Sequence, residues 1–185
     1  RYIAADLLSQ AEHDTLACSI LLTPPQDIAE KVAVEVDKQL AKLSRNEIAK
    51  KSIESYGRIV VTETMEEAID LANEIAPEHL ELAVENPFDY LNKIRNAGAI
   101  FLGEYSPEPL GDYFAGPNHT LPTSGTAKFA SPLSVDAFIK KSSVIYYTRE
   151  ALSSVKDKII RIAESETLTA HANSIRVRFE SDEDE

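Results

Sequence analysis

The chain alternates short apolar runs with longer segments whose apolar residues recur at helical spacing. The continuous apolar runs 16–23 and 58–63 are typical of strands that are buried on both faces of a sheet. Segment 25–43 instead repeats its apolar residues every three or four positions, as on one face of a helix. The pattern predicts strands at 16–23, 58–63, 80–84 and 99–103, and helices at 2–14, 25–43, 44–57, 64–76 and 86–98.

This order of elements predicts the α/β class, as a partial Rossmann-like parallel sheet with flanking helices. No glycine-rich G-x-G-x-x-G motif follows a predicted strand, so the phosphate cradle of a complete nucleotide-binding fold is missing from this sequence. Several helix ends carry their own signals. Thr64 and Glu67 predict a capping box, and Gly57 is predicted at the C′ position. Asn86 is the predicted cap of a helix that stops at Gly98.

The composition changes between Gly103 and Pro132. This stretch holds four of the six glycines and five of the nine prolines. A loop of this length inside a compact domain tends to be functional or disordered, and its many aromatic and apolar residues argue against disorder. We therefore predict an ordered active-site loop over 103–132, followed by a short helix and a strand within 134–148.

The last part of the chain predicts a small helical appendage. Leu152, Val155, Ile159 and Ile162 mark one amphipathic helix, and a second helix follows it. The predicted organisation is an α/β domain over 1–148, a helical dimerisation appendage over 149–179 and a disordered acidic tail over 180–185.

Composition and charge narrow the class of protein. The net charge of −12 argues against a nucleic-acid partner, and no apolar run approaches the roughly 20 residues of a membrane helix. Cys18 is the only cysteine, which excludes an internal disulfide and makes a reducing cytoplasm the expected setting. The chain enters a helical pattern directly at Arg1, from which we expect a C-terminal part or a processed product of a longer protein.

Few residues offer acid–base or metal chemistry. Glu78 and His79 follow Pro77 at a predicted helix-to-strand junction, where active-site residues of open sheets collect. A zinc site would have to draw on His13, Asp112, His171 and Gln10, which lie far apart in sequence. Taken alone, each histidine is more simply a surface residue.

Four segments resemble the C-terminal half of histidinol dehydrogenase. They are "DLLSQAEHD", "PEHLEL", "GAIFLGEYSPEPLGDYFAGPNHTLPTSGTAKFASPLSV" and "LTAHANSIRVR", and they occur in order from about Ala4 to Arg178. The resemblance implies oxidation of L-histidinol to L-histidine through histidinaldehyde, with two rounds of NAD reduction. It also implies a homodimer in which a C-terminal segment of one subunit reaches the partner's active site.

The resemblance also assigns roles to residues of this sequence. It implies zinc ligands at Gln10, His13, Asp112 and His171, which would also contact the substrate. It implies Glu78 and His79 as the acid–base pair, with His79 touching the substrate. Glu166 and His119 correspond to residues of the substrate pocket. The family's N-terminal half, with its NAD contacts and one substrate-binding serine, has no counterpart here, so the cofactor-binding residues are unknown.

Two other functions remain open on the sequence. One is a non-catalytic or regulatory fragment that binds zinc or histidinol, or that pairs with a separate N-terminal chain. The other is a zinc hydrolase, because a glutamate that activates water would serve that chemistry as well.

Overall fold

A computed structural model describes residues 1–180 of the chain. The chain divides into two compact units, one from Arg1 to Ile139 and one that begins at Lys140. Residues 181–185, which hold most of the predicted acidic tail, lie outside the described part. No helix in the described part is both long and apolar enough to cross a membrane.

The first unit alternates helices with short strands. Its helices are α1 (Tyr2–Ala11), α2 (Gln26–Leu40), α3 (Asn46–Tyr56), α4 (Met65–Ile75), α5 (Phe88–Leu91) and α6 (Glu108–Tyr113). Its strands are β1 (Ile20–Thr23), β2 (Arg58–Val61), β3 (His79–Leu82) and β4 (Ala99–Leu102). The second unit contains α7 (Arg149–Ser165) and α8 (Thr169–Arg176).

The predicted α/β class with parallel strands is confirmed, although the strands form two pairs rather than one sheet. β1 lies parallel to β2 with Ile20 opposite Arg58, and β3 lies parallel to β4 with His79 opposite Ala99. In each pair a helix lies between the two strands in sequence, as parallel connections require.

Two strand predictions were wrong in detail. β1 begins only at Ile20, and Leu16, in the predicted first half of that strand, is 71% exposed. All four residues of β2 are exposed rather than buried on both faces. Within the described part, β2 pairs with β1 alone, so its apolar side chains lack the cover that a wider sheet would provide.

The helical periodicity is confirmed in the core. Ala4 and Leu8 of α1 pack with Val32 and Val36 of α2, and all four residues are buried. Partly buried side chains from α2, α3 and β1 surround this cluster. The spacing of apolar residues therefore identified the face on which α1 and α2 meet. The predicted helix 86–98 is short, however, since only Phe88–Leu91 is helical.

The helix ends show one confirmed prediction and one correction. Thr64 Oγ1 accepts a hydrogen bond from the backbone N–H of Glu67, and the Glu67 carboxylate accepts one from Glu63 N–H. Gly57 closes α3 in extended backbone rather than in the left-handed region. Glycine is needed there because a Cβ would lie 2.6 Å from the carbonyl oxygen of Ile53.

The loop 103–132 is structured, as expected. It contains α6 and a 3₁₀ turn at Thr126–Lys128, while Tyr113, Phe114 and Phe129 remain more than 80% exposed. The strand predicted within 134–148 does not form. Residues 135–138 make a 3₁₀ turn, and Val144, Ile145 and Tyr146 are extensively exposed. Residues of high β propensity still need a partner strand, and this segment pairs with none in the described part.

In the second unit, α7 and α8 pack on each other through the buried residues Ala163 and Ala172. Arg176 forms an ion pair with Glu164 across the two helices. The Phe179 ring lies beneath the cations of Arg149 and Lys156. The two helices predicted for this part of the chain are present.

Candidate active site

The chain enters β3 through a tightly held turn. Ala76 ends α4 in the left-handed region at φ 52°, and Pro77 follows it. The N–H of Gly98 donates to Pro77 O at 2.9 Å, and the N–H of Ala99 donates to Glu78 O at 2.8 Å. A Cβ on Gly98 would lie 2.5 Å from that Glu78 oxygen, so the close approach requires glycine. The backbone of Glu78 is therefore fixed against the start of β4.

The side chain of Asn73 supports the same turn from α4. It is 3% exposed, donates to Lys93 O and accepts hydrogen bonds from the backbone N–H groups of Arg95 and Asn96. These bonds join α4 to the segment that leads into β4. They hold the two sides of the turn in register before either strand begins.

His79 is the first residue of β3, and its side chain is 18% exposed. Its Nε2 atom is buried and makes no hydrogen bond within the described residues. The nearest carboxylate oxygen in an ion-pair geometry is Oε1 of Glu108, at 4.0 Å, and the Phe101 ring lies 6.0 Å away at a tilt. A buried, unpartnered imidazole nitrogen is costly, so this atom is available to a ligand or a proton.

α6 brings two carboxyl groups to His79. Glu108 and Asp112 lie one helical turn apart and hydrogen-bond to each other. One carboxylate oxygen of Glu108, one carboxylate oxygen of Asp112 and one ring nitrogen of His79 all lie within 4.8 Å of one another. Gly111 allows the helix to come this close, because a Cβ there would lie 2.7 Å from the Phe101 ring. Gly111 thus lets α6 pack directly on Phe101 of β4.

Two further carboxyl groups lie behind this cluster. Glu81 follows His79 by two residues on β3 and so faces the same side of the strand. Its Oε1 accepts a hydrogen bond from the backbone N–H of Glu108 at 3.0 Å, and its carboxyl group lies close enough to that of Asp6 in α1 for the two to interact. Acidic groups from α1, β3 and α6 therefore meet on one face of the β3–β4 pair.

Burial shifts the titration of these acids. Desolvation, with the hydrogen bond and negative charge of Asp112, raises the pKa of Glu108 to about 7. Desolvation and the charge of Asp6 raise the pKa of Glu81 to about 7, and burial also raises the pKa of Asp6. Acids that keep protons near neutral pH can exchange them with a reactant or release them to a bound cation.

The donor set fits a zinc ion. Imidazole nitrogen and carboxylate oxygen are zinc ligands, and His79, Glu108 and Asp112 form the one such group found within residues 1–180. Of the four ligands implied by the resemblance, Asp112 belongs to this group. Gln10 lies half-buried near the end of α1, and His13 lies exposed three residues after Gln10.

Three further predicted site residues are exposed. His119 is exposed in the loop after α6. Glu166 and His171 are exposed in the second unit, at the end of α7 and on α8. Within the first unit, the structure brings His79 and Asp112 together, next to Glu78 in the chain, and the group that they form with Glu108 does not include His13 or His119.

Sequence reasoning missed Asp6, Glu81 and Glu108. For two of them, the spacing from a predicted site residue was a signal in the sequence. Glu108 precedes Asp112 by four residues, which places both on one helix face, and Glu81 follows His79 by two, which places both on one strand face. Asp6 carried none, because its contact with Glu81 spans 75 positions and depends on the packing of α1.

Comparison with known proteins identifies the family. The sequence profile of histidinol dehydrogenase matches residues 1–179. The histidinol dehydrogenase of Caldanaerobacter subterraneus subsp. tengcongensis is 63% identical over 182 residues, which cover 98% of this chain and 42% of that protein. That of Clostridium acetobutylicum is 60% identical over 179 residues, covering 97% of this chain and 42% of the relative.

A solved structure from the same family also matches this chain. The crystal structure of histidinol dehydrogenase from Elizabethkingia anophelis superposes with a TM-score of 0.85 at 42% sequence identity, over 96% of this chain and 41% of that one. The chain spans about 42% of the length of the curated relatives it matches, in their C-terminal portion. The resemblance seen in the sequence motifs is confirmed, and the chain belongs to the histidinol dehydrogenase family.

Proposed function

We propose that this chain carries the acid–base and zinc-binding residues of a histidinol dehydrogenase, an oxidoreductase of histidine biosynthesis that converts L-histidinol to L-histidine with two NAD. Family membership supports this reaction. The observation that carries the local assignment is the buried, unpartnered Nε2 of His79, which faces two carboxyl groups on α6.

We assign His79 as the base of the first step. The alcohol group of histidinol gives up its proton to the imidazole while hydride leaves the same carbon for NAD, so that an aldehyde forms. An imidazole suits this task because its charge changes near neutral pH. Glu108, 4.0 Å from Nε2, would stabilise the imidazolium that results.

We assign Glu78 to the second step. It would take a proton from the water that adds to the aldehyde, and the hydrate would then lose a second hydride and a proton to give the carboxylic acid. The turn that fixes the Glu78 backbone would keep this carboxylate aimed at the same carbon as His79. Two bases on neighbouring residues would thus serve two consecutive oxidations.

Zinc would act as a Lewis acid that holds the imidazole and amine of the substrate. Asp112 is the ligand that the local geometry supports best, since its carboxylate lies beside His79. Gln10, His13 and His171 complete the proposed set by resemblance, with His171 supplied by the partner subunit of a homodimer. Glu166 and His119 would contact the substrate.

The test joins this chain to the part of the Caldanaerobacter relative that it does not cover. The joined protein should bind zinc and form two NADH for each histidinol consumed. Asp112→Ala removes one ligand and should lower zinc affinity by at least about 10-fold, measured by dialysis against a competing chelator. Glu74→Ala, which removes an exposed carboxylate from α4, is the matched control.

The outcomes separate the candidate functions. A folded joined protein that binds zinc and histidinol without forming NADH would favour a binding or regulatory role. Full zinc affinity in the Asp112→Ala variant would remove Asp112 from the ligand set.

A further inference from the structure

Glu81 is a half-buried acid to which the proposed reaction gives no role. Its side chain lies at the centre of three elements that carry proposed site residues. Glu81 lies on β3, which also carries His79. It accepts a hydrogen bond from the first N–H of α6, the helix that carries Asp112. It also lies close to Asp6 of α1, the helix that carries Gln10. Asp6 and Gln10 are four residues apart and so share one face of α1.

The bond from Glu108 to Glu81 replaces a missing helix cap. α6 begins after Pro107, which makes no side-chain hydrogen bond to the first turn. The first N–H groups of a helix have no partner within that helix, and Glu108 is only 8% exposed. Glu81 Oε1 supplies the partner for the Glu108 N–H at 3.0 Å, from a strand 27 positions earlier.

The short helix α6 depends on contacts with other elements for its orientation. With only six residues, the helix has few intrahelical bonds of its own, and its orientation depends on its attachments. One attachment is the contact of Gly111 with Phe101, and the other is the bond to Glu81. Loss of the second would allow Asp112 and Glu108 to move away from His79.

We propose that Glu81 is a positioning residue, which fixes α6 and α1 against β3 and thereby holds the zinc ligand Asp112 and the base His79 in their working geometry. This inference rests on the proposed function. Glu81 would not touch zinc or substrate, and it would act through the Glu108 N–H and through Asp6.

Two substitutions separate its hydrogen-bonding role from its volume. Glu81→Gln keeps a carbonyl oxygen for the Glu108 N–H and offers an amide that can donate to Asp6. Glu81→Leu keeps a similar volume and removes both interactions. In the joined protein described above, Glu81→Leu should lower zinc affinity and kcat by about 10–100-fold, as loss of a residue behind a metal ligand typically does. Glu81→Gln should stay within about threefold of the parent in both quantities.

Amide hydrogen exchange provides a readout that does not depend on activity and that begins with the parent chain. In the parent chain, the Glu108 N–H should be protected although it belongs to the first turn of a helix. In Glu81→Gln the protection should persist, and in a folded Glu81→Leu it should be lost. The exposed first-turn amide of Ala151 in α7, which donates to Thr148 Oγ1 at 3.2 Å, is the reference for an N–H held only by a local cap.

The results that overturn the inference are distinct from those that overturn the proposed function. An unprotected Glu108 N–H in the parent contradicts it, whatever the activity. A Glu81→Gln variant that fails to fold also contradicts the inference. The same holds if Glu81→Gln loses as much zinc affinity as Glu81→Leu. If Glu81→Leu does not fold, the parent exchange and the Glu81→Gln affinity decide the question. If the Glu108 N–H is protected but the joined protein forms no NADH, the result contradicts the proposed function and leaves the inference about Glu81 standing.

Discussion

At the scale of single residues, the site is defined by acids that share a small volume with one imidazole. Asp6, Glu81, Glu108 and Asp112 come within hydrogen-bonding contact of one another in pairs, and no lysine or arginine pairs with them in the described part of the chain. Burial raises the pKa of Asp6, Glu81 and Glu108 and so favours their protonated forms. Stability and reactivity here therefore both depend on proton occupancy.

The first prediction concerns stability against pH. The folded pKa of Glu81 and that of Glu108 lie at about 7, above the ordinary value of 4.5. The folded chain thus binds more protons than the unfolded chain between about pH 4.5 and 7, so the free energy of unfolding should fall as pH rises through this window. The stabilisation from these groups is fully present below pH 4.5 and lost above about 7.

Urea unfolding of the metal-free chain across this range measures the effect. Glu81→Gln cannot ionise at this position and should show a shallower pH slope than the parent. Glu74→Gln, at an exposed position on α4, should keep the parent slope. A slope that is unchanged in Glu81→Gln would contradict the raised pKa.

The second prediction separates the roles of the adjacent bases. His79→Asn removes the base for the alcohol and should slow histidinol oxidation by about 10²–10⁴-fold. Glu78→Gln removes the base for water and should slow oxidation of histidinaldehyde more than that of histidinol. Single-turnover assays of each half-reaction in the joined protein measure both. Equal losses in the two half-reactions for both variants would reject this division of labour.

At the scale of elements, the turn between α4 and β3 depends on one buried amide. The third prediction is that Asn73→Ala lowers the free energy of unfolding by about 2 kcal/mol or more, because it leaves buried backbone groups near Arg95 and Asn96 without partners. Urea denaturation of the chain measures the loss.

Asn92→Ala is the control for this prediction. Asn92 is exposed, and no side-chain hydrogen bond is recorded for it in the described part. Its replacement should change stability by less than about 0.5 kcal/mol, as is usual for surface positions. Similar losses in both variants would show that the hydrogen bonds of Asn73 contribute no more to the free energy of unfolding than an exposed asparagine does.

At the scale of the whole molecule, the second unit carries Glu166 and His171 while exposing apolar side chains. Ile162 of α7 is 61% exposed and Val177, which follows α8, is 48% exposed. In the proposed homodimer, a two-fold symmetric contact would cover part of this face and deliver His171 to the neighbouring site.

The fourth prediction tests this shared site by complementation. A joined protein with Glu78→Gln and His79→Asn is mixed with one that carries His171→Ala, under conditions of proven subunit exchange. Each heterodimer would contain one complete site, so about a quarter of the parent activity should return with equal mixing. Each variant alone is the control. No recovery despite exchange would exclude a site shared in this way.

The sequence by itself determined the elements whose pattern is local. The helical spacing of Val32 and Val36 identified the core face of α2, and Thr64 with Glu67 identified the start of α4, because both signals act within a few residues. The four segments that resemble histidinol dehydrogenase identified the family for the same reason: continuous stretches of side chains can be compared directly.

Only the tertiary structure decided what depends on distant neighbours. Residues 59–61 and 144–146 are both continuous apolar runs, yet the first segment pairs with β1 and the second remains exposed and unpaired within the described part. Asp6, Glu81 and Glu108 look like ordinary surface acids in the sequence. In the folded chain Glu108 is buried, Asp6 and Glu81 are half-buried, and the three acids from α1, β3 and α6 lie close to one another. Burial and repulsion act through space rather than along the chain.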